Sequence, residues 1–143
     1  MADQHALKLL RKGVTAWNAW RTAHPWFPPN LSGADLREAD LNGIDFSETN
    51  LSQATLVKAA LQGANFYCAH LGGADLSAAC LLHARLVRAM LTGANLKGLD
   101  LSQTDLYGAI LSWADLSQVK SVRFVFSDTP QGAIFLSDVR LSK

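Results

Sequence analysis

The side chains with the most versatile chemistry in this 143-residue chain are four histidines and two cysteines. A zinc site needs Cys and His at short paired spacings, yet Cys68 and Cys80 form no CxxC pair and no histidines cluster beside them. His5, His24, His70 and His83 are scattered, and none sits in a local motif with a carboxylate that would tune it as a general base. No phosphate-cradling glycine loop, dinucleotide fingerprint, nucleophile elbow or metal-binding helix motif occurs. The twelve Asp and Glu recur mostly at regular intervals, which reflects repetition rather than a paired acid and base. The expectation is a protein without catalytic residues, metal or cofactor, and not an enzyme.

What positions these residues is a five-residue rhythm. From Leu31 to Leu116 every fifth residue is Leu or Phe, giving eighteen positions, of which sixteen are Leu and two are Phe46 and Phe66. Two residues before them, thirteen of the eighteen positions are Ala, and the residue just before is Asp or Asn in eleven. The unit reads A-(D/N)-L-x-x, as in Ala34-Asp35-Leu36, Ala64-Asn65-Phe66 and Ala94-Asn95-Leu96. On an α-helix, five residues advance about 500°, so these leucines would encircle the axis. On a continuous strand they would alternate between faces, because five is odd. They share one interior only if the chain turns a corner every five residues and successive coils stack about 4.8 Å apart. Ala and Leu then point inward, and Asp/Asn with the two x residues point outward.

Over residues 30–119 this pattern resembles the pentapeptide-repeat family. The resemblance implies an all-β solenoid, a right-handed quadrilateral β-helix with four pentapeptides per coil and about four and a half coils here. Phe46 would then stack on Phe66, and Gly73 on Gly93. The phrase Ala16-Trp17-Asn18-Ala19-Trp20-Arg21 with its Pro-rich lead-in is also similar to the helical start of bacterial, notably cyanobacterial, members, and implies a bacterial source.

Three segments follow. Residues 1–29 read as an N-terminal capping α-helix, N-capped by Asp3 and running to about Arg21 ahead of Pro25, then a Pro-rich lead-in. Leu7, Leu10, Val14 and Trp17 form its apolar stripe, with Trp20 beside it and Lys8, Arg11 and Lys12 on the remaining surface. The stripe suits a lid on the first coil, and the sharper alternative is a helix offered to a partner or membrane. Residues 30–119 are the β-helix. Residues 120–143 read as a C-terminal cap or hairpin, because Ser121 falls where the next Leu is due and two apolar runs flank a turn-rich segment.

Outward residues carry the functional reading. Between Leu56 and Leu91 the Asp/Asn position holds Thr55, Ala60, Asn65, His70, Asp75, Cys80, Arg85 and Met90, so the polar ladder is largely lost there. A twenty-residue coil would align Tyr67, Val87 and Tyr107 in a column beside Arg85 and Arg88. Tyr67, Val87, Arg88 and Tyr107 are the candidate protein-interaction surface, since aromatics and Arg are the composition of interface hot spots. The function expected is a non-catalytic protein–protein interaction or scaffold module. The alternative, implied by family members that bind DNA gyrase and confer quinolone resistance, is a DNA mimic. Mimicry needs sustained negative charge, whereas residues 30–119 hold nine acids and five bases, with Lys58, Arg85, Arg88 and Lys97 interrupting the middle. Thirteen Lys+Arg against twelve Asp+Glu argue against direct nucleic-acid or membrane binding by overall charge. No apolar run approaches the roughly 18 residues that span a bilayer. The expectation is therefore an unidentified protein partner, a homodimer through a terminal cap as a further option, no membrane, and a reducing cytoplasmic setting.

Overall fold

The computed structural model describes residues 1–122. Thirteen parallel bridges join residues twenty apart, from Asn30↔Asn50 through Asp45↔Asn65 and Arg85↔Asp105 to Asn95↔Asp115. Each coil is therefore four pentapeptides, and the square tube has four walls. The first carries Leu31, Leu51, Leu71, Leu91 and Leu111; the fourth carries Phe46, Phe66, Leu86 and Leu106. All eighteen Leu and Phe positions are buried. The phenylalanines stack as expected, with Phe46 and Phe66 centroids 5.7 Å apart.

A β-turn makes each corner, its Leu carbonyl accepting from the amide three residues on, as in Ala64 N–H to Leu61 O at 3.1 Å. The second central residue of the turn takes positive φ, which costs an L residue local strain. Glycine fills several of these positions, but Glu38, Lys58, Cys68 and Arg88 are held there too, at φ of 53 to 58°. The ladder between coils over-determines them. At Gly108 a side chain would also meet the Arg88 Cγ at 3.1 Å, so the Arg88 stem lies across that corner.

The N-terminal segment departs from expectation. Two helices replace one: α1, Gln4–Arg11, and α2, Val14–Ala23. Gly13 between them has φ of +103°, outside the helical region, and breaks the run. Asp3 does cap α1, its carboxylate accepting from the His5 amide at 3.0 Å. Together the helices close the open end of the tube. The buried Trp17 ring meets Phe46 edge-on at 5.6 Å, extending the aromatic stack along the axis.

At the other end the rhythm slips rather than simply stopping. The last turn keeps its bond from Val119 N–H to Leu116 O. Two short strands, β1 (Asp100–Leu101) and β2 (Ser121–Val122), then pair Leu101 with Val122, twenty-one residues on. A one-residue shift puts Val122 instead of the Ser121 hydroxyl against the leucine interior, where a serine would lack hydrogen-bond partners. The C-terminal cap or hairpin expected over 120–143 lies outside the described residues from position 123 onward.

Candidate interaction surface

Hydrogen-bond accounting for one repeat shows why the ladder position matters. The amide of the inward Leu or Phe and the amide two residues later bond up to the next coil, as in Phe66 N–H to Arg85 O (2.7 Å) and Cys68 N–H to Val87 O (3.0 Å). The ladder-position amide bonds down, as in Asn65 N–H to Ile44 O at 2.9 Å, and the Ala amide closes the turn. Only the amide just after the Leu or Phe is left over. In all eleven repeats with Asp or Asn at the ladder position, the side-chain Oδ1 accepts from that amide; Asp75 and Ser77 (2.9 Å) or Asp105 and Tyr107 (3.0 Å) are examples. At Asp35 and Asp100 the bonds hold the carboxyl below its ordinary range, chiefly through the Arg37 side chain and through Ser102 respectively.

At Thr55, His70, Cys80, Arg85 and Met90 the ladder residue supplies no such acceptor to the corner amide. Val57, Gly72, Leu82, Val87 and Thr92 have no amide partner among the described residues. Gln62 is rescued by Asn42 Oδ1 from the coil below, at 2.8 Å. Three of the five open donors, Gly72, Val87 and Thr92, flank the first wall.

Tyr67, Val87 and Tyr107 do lie one above another, at the corner between the fourth and first walls. Cys68 N–H bonds Val87 O, and Arg88 N–H bonds Tyr107 O at 2.8 Å. Tyr67 and Val87 are half-buried, Tyr107 is 37% exposed, and Arg88 is exposed beside them. Arg85, also exposed, bridges Asn65 and Asp105 along the fourth wall. The foot of the column opens into a hollow of about 640 Å³ bordered by Pro28, Glu48, Tyr67, Cys68 and His70.

Further apolar residues, absent from the expected column, sit around the corner. Met90 and Ile110 pair on the first wall, and Trp113 follows Ile110 at the next corner. Met90 is 37% and Trp113 59% exposed. The sequence holds a signal for them: Met90 and Ile110 are both ladder exceptions, and the twenty-residue register makes them neighbours. Among the described residues, no group of three or more His, Cys, Asp or Glu is arranged to hold a metal, and Cys68 and Cys80 are free thiols.

This stacked-pentapeptide architecture, with its inward Leu and Ala and outward Asx ladder, defines the class, and the chain belongs to the pentapeptide-repeat family. The family model "Pentapeptide repeats" matches eight copies over residues 30–66, 69–108 and 84–120. Such proteins form right-handed quadrilateral β-helices. Among solved structures, the chain is similar to a pentapeptide repeat protein of the Arabidopsis thaliana thylakoid lumen, at 37% identity over 64% of this chain and 68% of that one, with TM-score 0.44. It is similar to a pentapeptide repeat protein from Nostoc at 32% identity, over 90% of this chain and 95% of that one, with TM-score 0.41. A third is HetL, involved in heterocyst differentiation regulation in Nostoc, at 32% identity over 77% and 62% of the two chains, TM-score 0.32. No curated protein matches the chain. No helix among the described residues is long and apolar enough to cross a membrane.

Proposed function

We propose that the chain is a non-catalytic protein-interaction module, and that the corner formed by Tyr67, Val87, Arg88 and Tyr107 holds its partner. The observation that carries this reading is the coincidence at one corner of exposed aromatic surface, two arginines and the open Val87 backbone donor. Each is costly or neutral to a free rod and useful to a bound one: unpaired amides and apolar side chains both gain when a partner covers them. The chemistry favours a partner segment with apolar side chains and with carboxylate or carbonyl acceptors facing Arg85, Arg88 and the Val87 amide. The stacked coils hold these groups at fixed spacing, which lowers the ordering cost of binding. The free thiols suit a reducing compartment such as the cytoplasm.

The test compares the wild-type chain with Tyr67→Ala/Tyr107→Ala in affinity capture from the native host. The partner retained by wild type should be lost by the double variant, which folds because both rings lie outside the core. Unchanged affinity would sink the assignment. A gyrase supercoiling assay separates the DNA-mimic alternative: inhibition at stoichiometric protein would overturn the proposal. Arg85, Arg88 and Lys97 break the acidic surface that such mimicry requires.

A further inference from the structure

The near-zero net charge of the chain conceals a segregation. Residues 1–29 carry Lys8, Arg11, Lys12 and Arg21 against Asp3 alone, while the remainder holds nine Lys+Arg and eleven Asp+Glu. Arg21 is spent internally, buried on the Phe27 and Ser47 carbonyls at 2.6 and 2.8 Å. The other three cations are exposed and have no ion pair among the described residues. Lys8 lies about 180° around α1 from the buried Ala6 and Leu10, and Arg11 and Lys12 follow on the side away from the tube.

Beyond α2 the chain turns sharply, with Phe27 N–H bonding His24 O at 3.2 Å. Trp26 protrudes there at 93% exposure and Phe27 at 52%. Pro25, Pro28 and Pro29 restrict this turn, and an aromatic raft supports it: Trp20 stacks on His24 at 4.8 Å and meets Phe27 edge-on at 5.7 Å. The turn therefore resists any rearrangement that would hide its indole.

We propose that this helical end is a docking surface for an anionic lipid bilayer. A protruding Trp beside a Phe, with exposed, unpaired lysine and arginine elsewhere on the same cap, matches what a headgroup interface rewards: cations to lipid phosphates, indole at the polar–apolar boundary. A protein partner would need a pre-shaped pocket for the indole. A fluid bilayer accommodates a convex end without one. The expectation of no membrane rests on overall charge, and the cap carries a charge that this sum cancels.

The experiment is co-sedimentation of the full chain with phosphatidylcholine vesicles, with and without phosphatidylglycerol. Binding should require the anionic lipid and disappear at about 0.5 M salt, where screening is complete within a few ångströms. Lys8→Glu/Arg11→Glu/Lys12→Glu should lower partitioning by about tenfold or more. Trp26→Ala should weaken it several-fold and abolish the lipid-induced blue shift of tryptophan emission. These residues are exposed, so the variants should keep the wild-type circular dichroism. Failure to sediment with anionic vesicles overturns the proposal. So does binding unaffected by the charge reversal, or capture of single-stranded DNA in place of vesicles. The wall reading is independent, because Tyr67→Ala/Tyr107→Ala should bind vesicles as wild type does.

Discussion

At the scale of the residue, the Asp/Asn of each repeat acts as a local acceptor for one backbone amide that the coil ladder cannot reach. A hydrogen bond of this kind contributes about 0.5–1.5 kcal/mol net. Asp75→Ala should therefore destabilise the chain by about 1 kcal/mol, since it frees the Ser77 amide. The converse is sharper. Met90 occupies a ladder position, is partly exposed, and leaves Thr92 N–H open. Met90→Asn should raise stability by about 0.5–1 kcal/mol, read from the denaturant midpoint, because it supplies the missing acceptor and gives up little burial. A stabilising effect there would mean that this wall forgoes stability for its surface, as interaction sites do. A destabilising one would show that Met90 packs more than its exposure indicates. The inward residues were legible from spacing because five-fold periodicity admits few geometries. The role of the ladder Asx was not, since which amide lacks a partner emerges only once the coil-to-coil bonds are placed.

At the scale of the element, α2 substitutes side chains for a coil that does not exist. The first full coil presents the Asp45 and Ser47 carbonyls and the Asp45 amide toward the N-terminal end, where a preceding coil would bond them. Trp17 Nε1–H donates to Asp45 O at 2.7 Å, Asn18 donates to Gly43 O at 3.0 Å and accepts from Asp45 N–H at 2.8 Å, and Arg21 donates to Ser47 O. Asn18→Ala strands an amide and a carbonyl at this edge and should cost about 1–3 kcal/mol, against less than about 0.5 kcal/mol for Thr22→Ala on the exposed side of the same helix. Urea denaturation of the two variants decides whether the helix serves as an edge cap or only as apolar cover; equal effects would support the second. The apolar stripe through Leu7, Leu10, Val14 and Trp17 was visible in the sequence, and so was the Asp3 cap. Neither the break at Gly13 nor the work of Asn18 and Arg21 could be read from helical periodicity. A single Gly inside a helical pattern is usually tolerated, and the groups of the first coil that Asn18 and Arg21 meet lie 25 to 27 residues away in sequence.

At the scale of the whole molecule, each coil contacts only its neighbours, so stability should be close to a sum over coils while wall identity depends on phase. Deleting residues 71–90 removes one complete coil and returns Leu91 to the place of Leu71, directly above Leu51. Every inward residue then still meets an inward residue, and Tyr107 comes to lie directly over Tyr67. This variant should keep its strand-type circular dichroism and a single unfolding transition, with a smaller denaturant slope because less surface is buried. Deleting residues 71–88 instead shifts every later position by a number that is not a multiple of five, driving outward residues such as Lys97 and Tyr107 into the tube while Leu91 and Leu96 move to exposed corners. That variant should not fold. If both deletions fold equally well, the tube is not held by its phase, and neither a corner column at Tyr67 and Tyr107 nor a rigid separation between that corner and the basic helical end can be maintained. If only the in-phase deletion folds, the rod is a ruler whose length can be shortened by about 4.8 Å per coil. The height to which the corner column rises above the helical end then becomes a property that can be tuned one coil at a time.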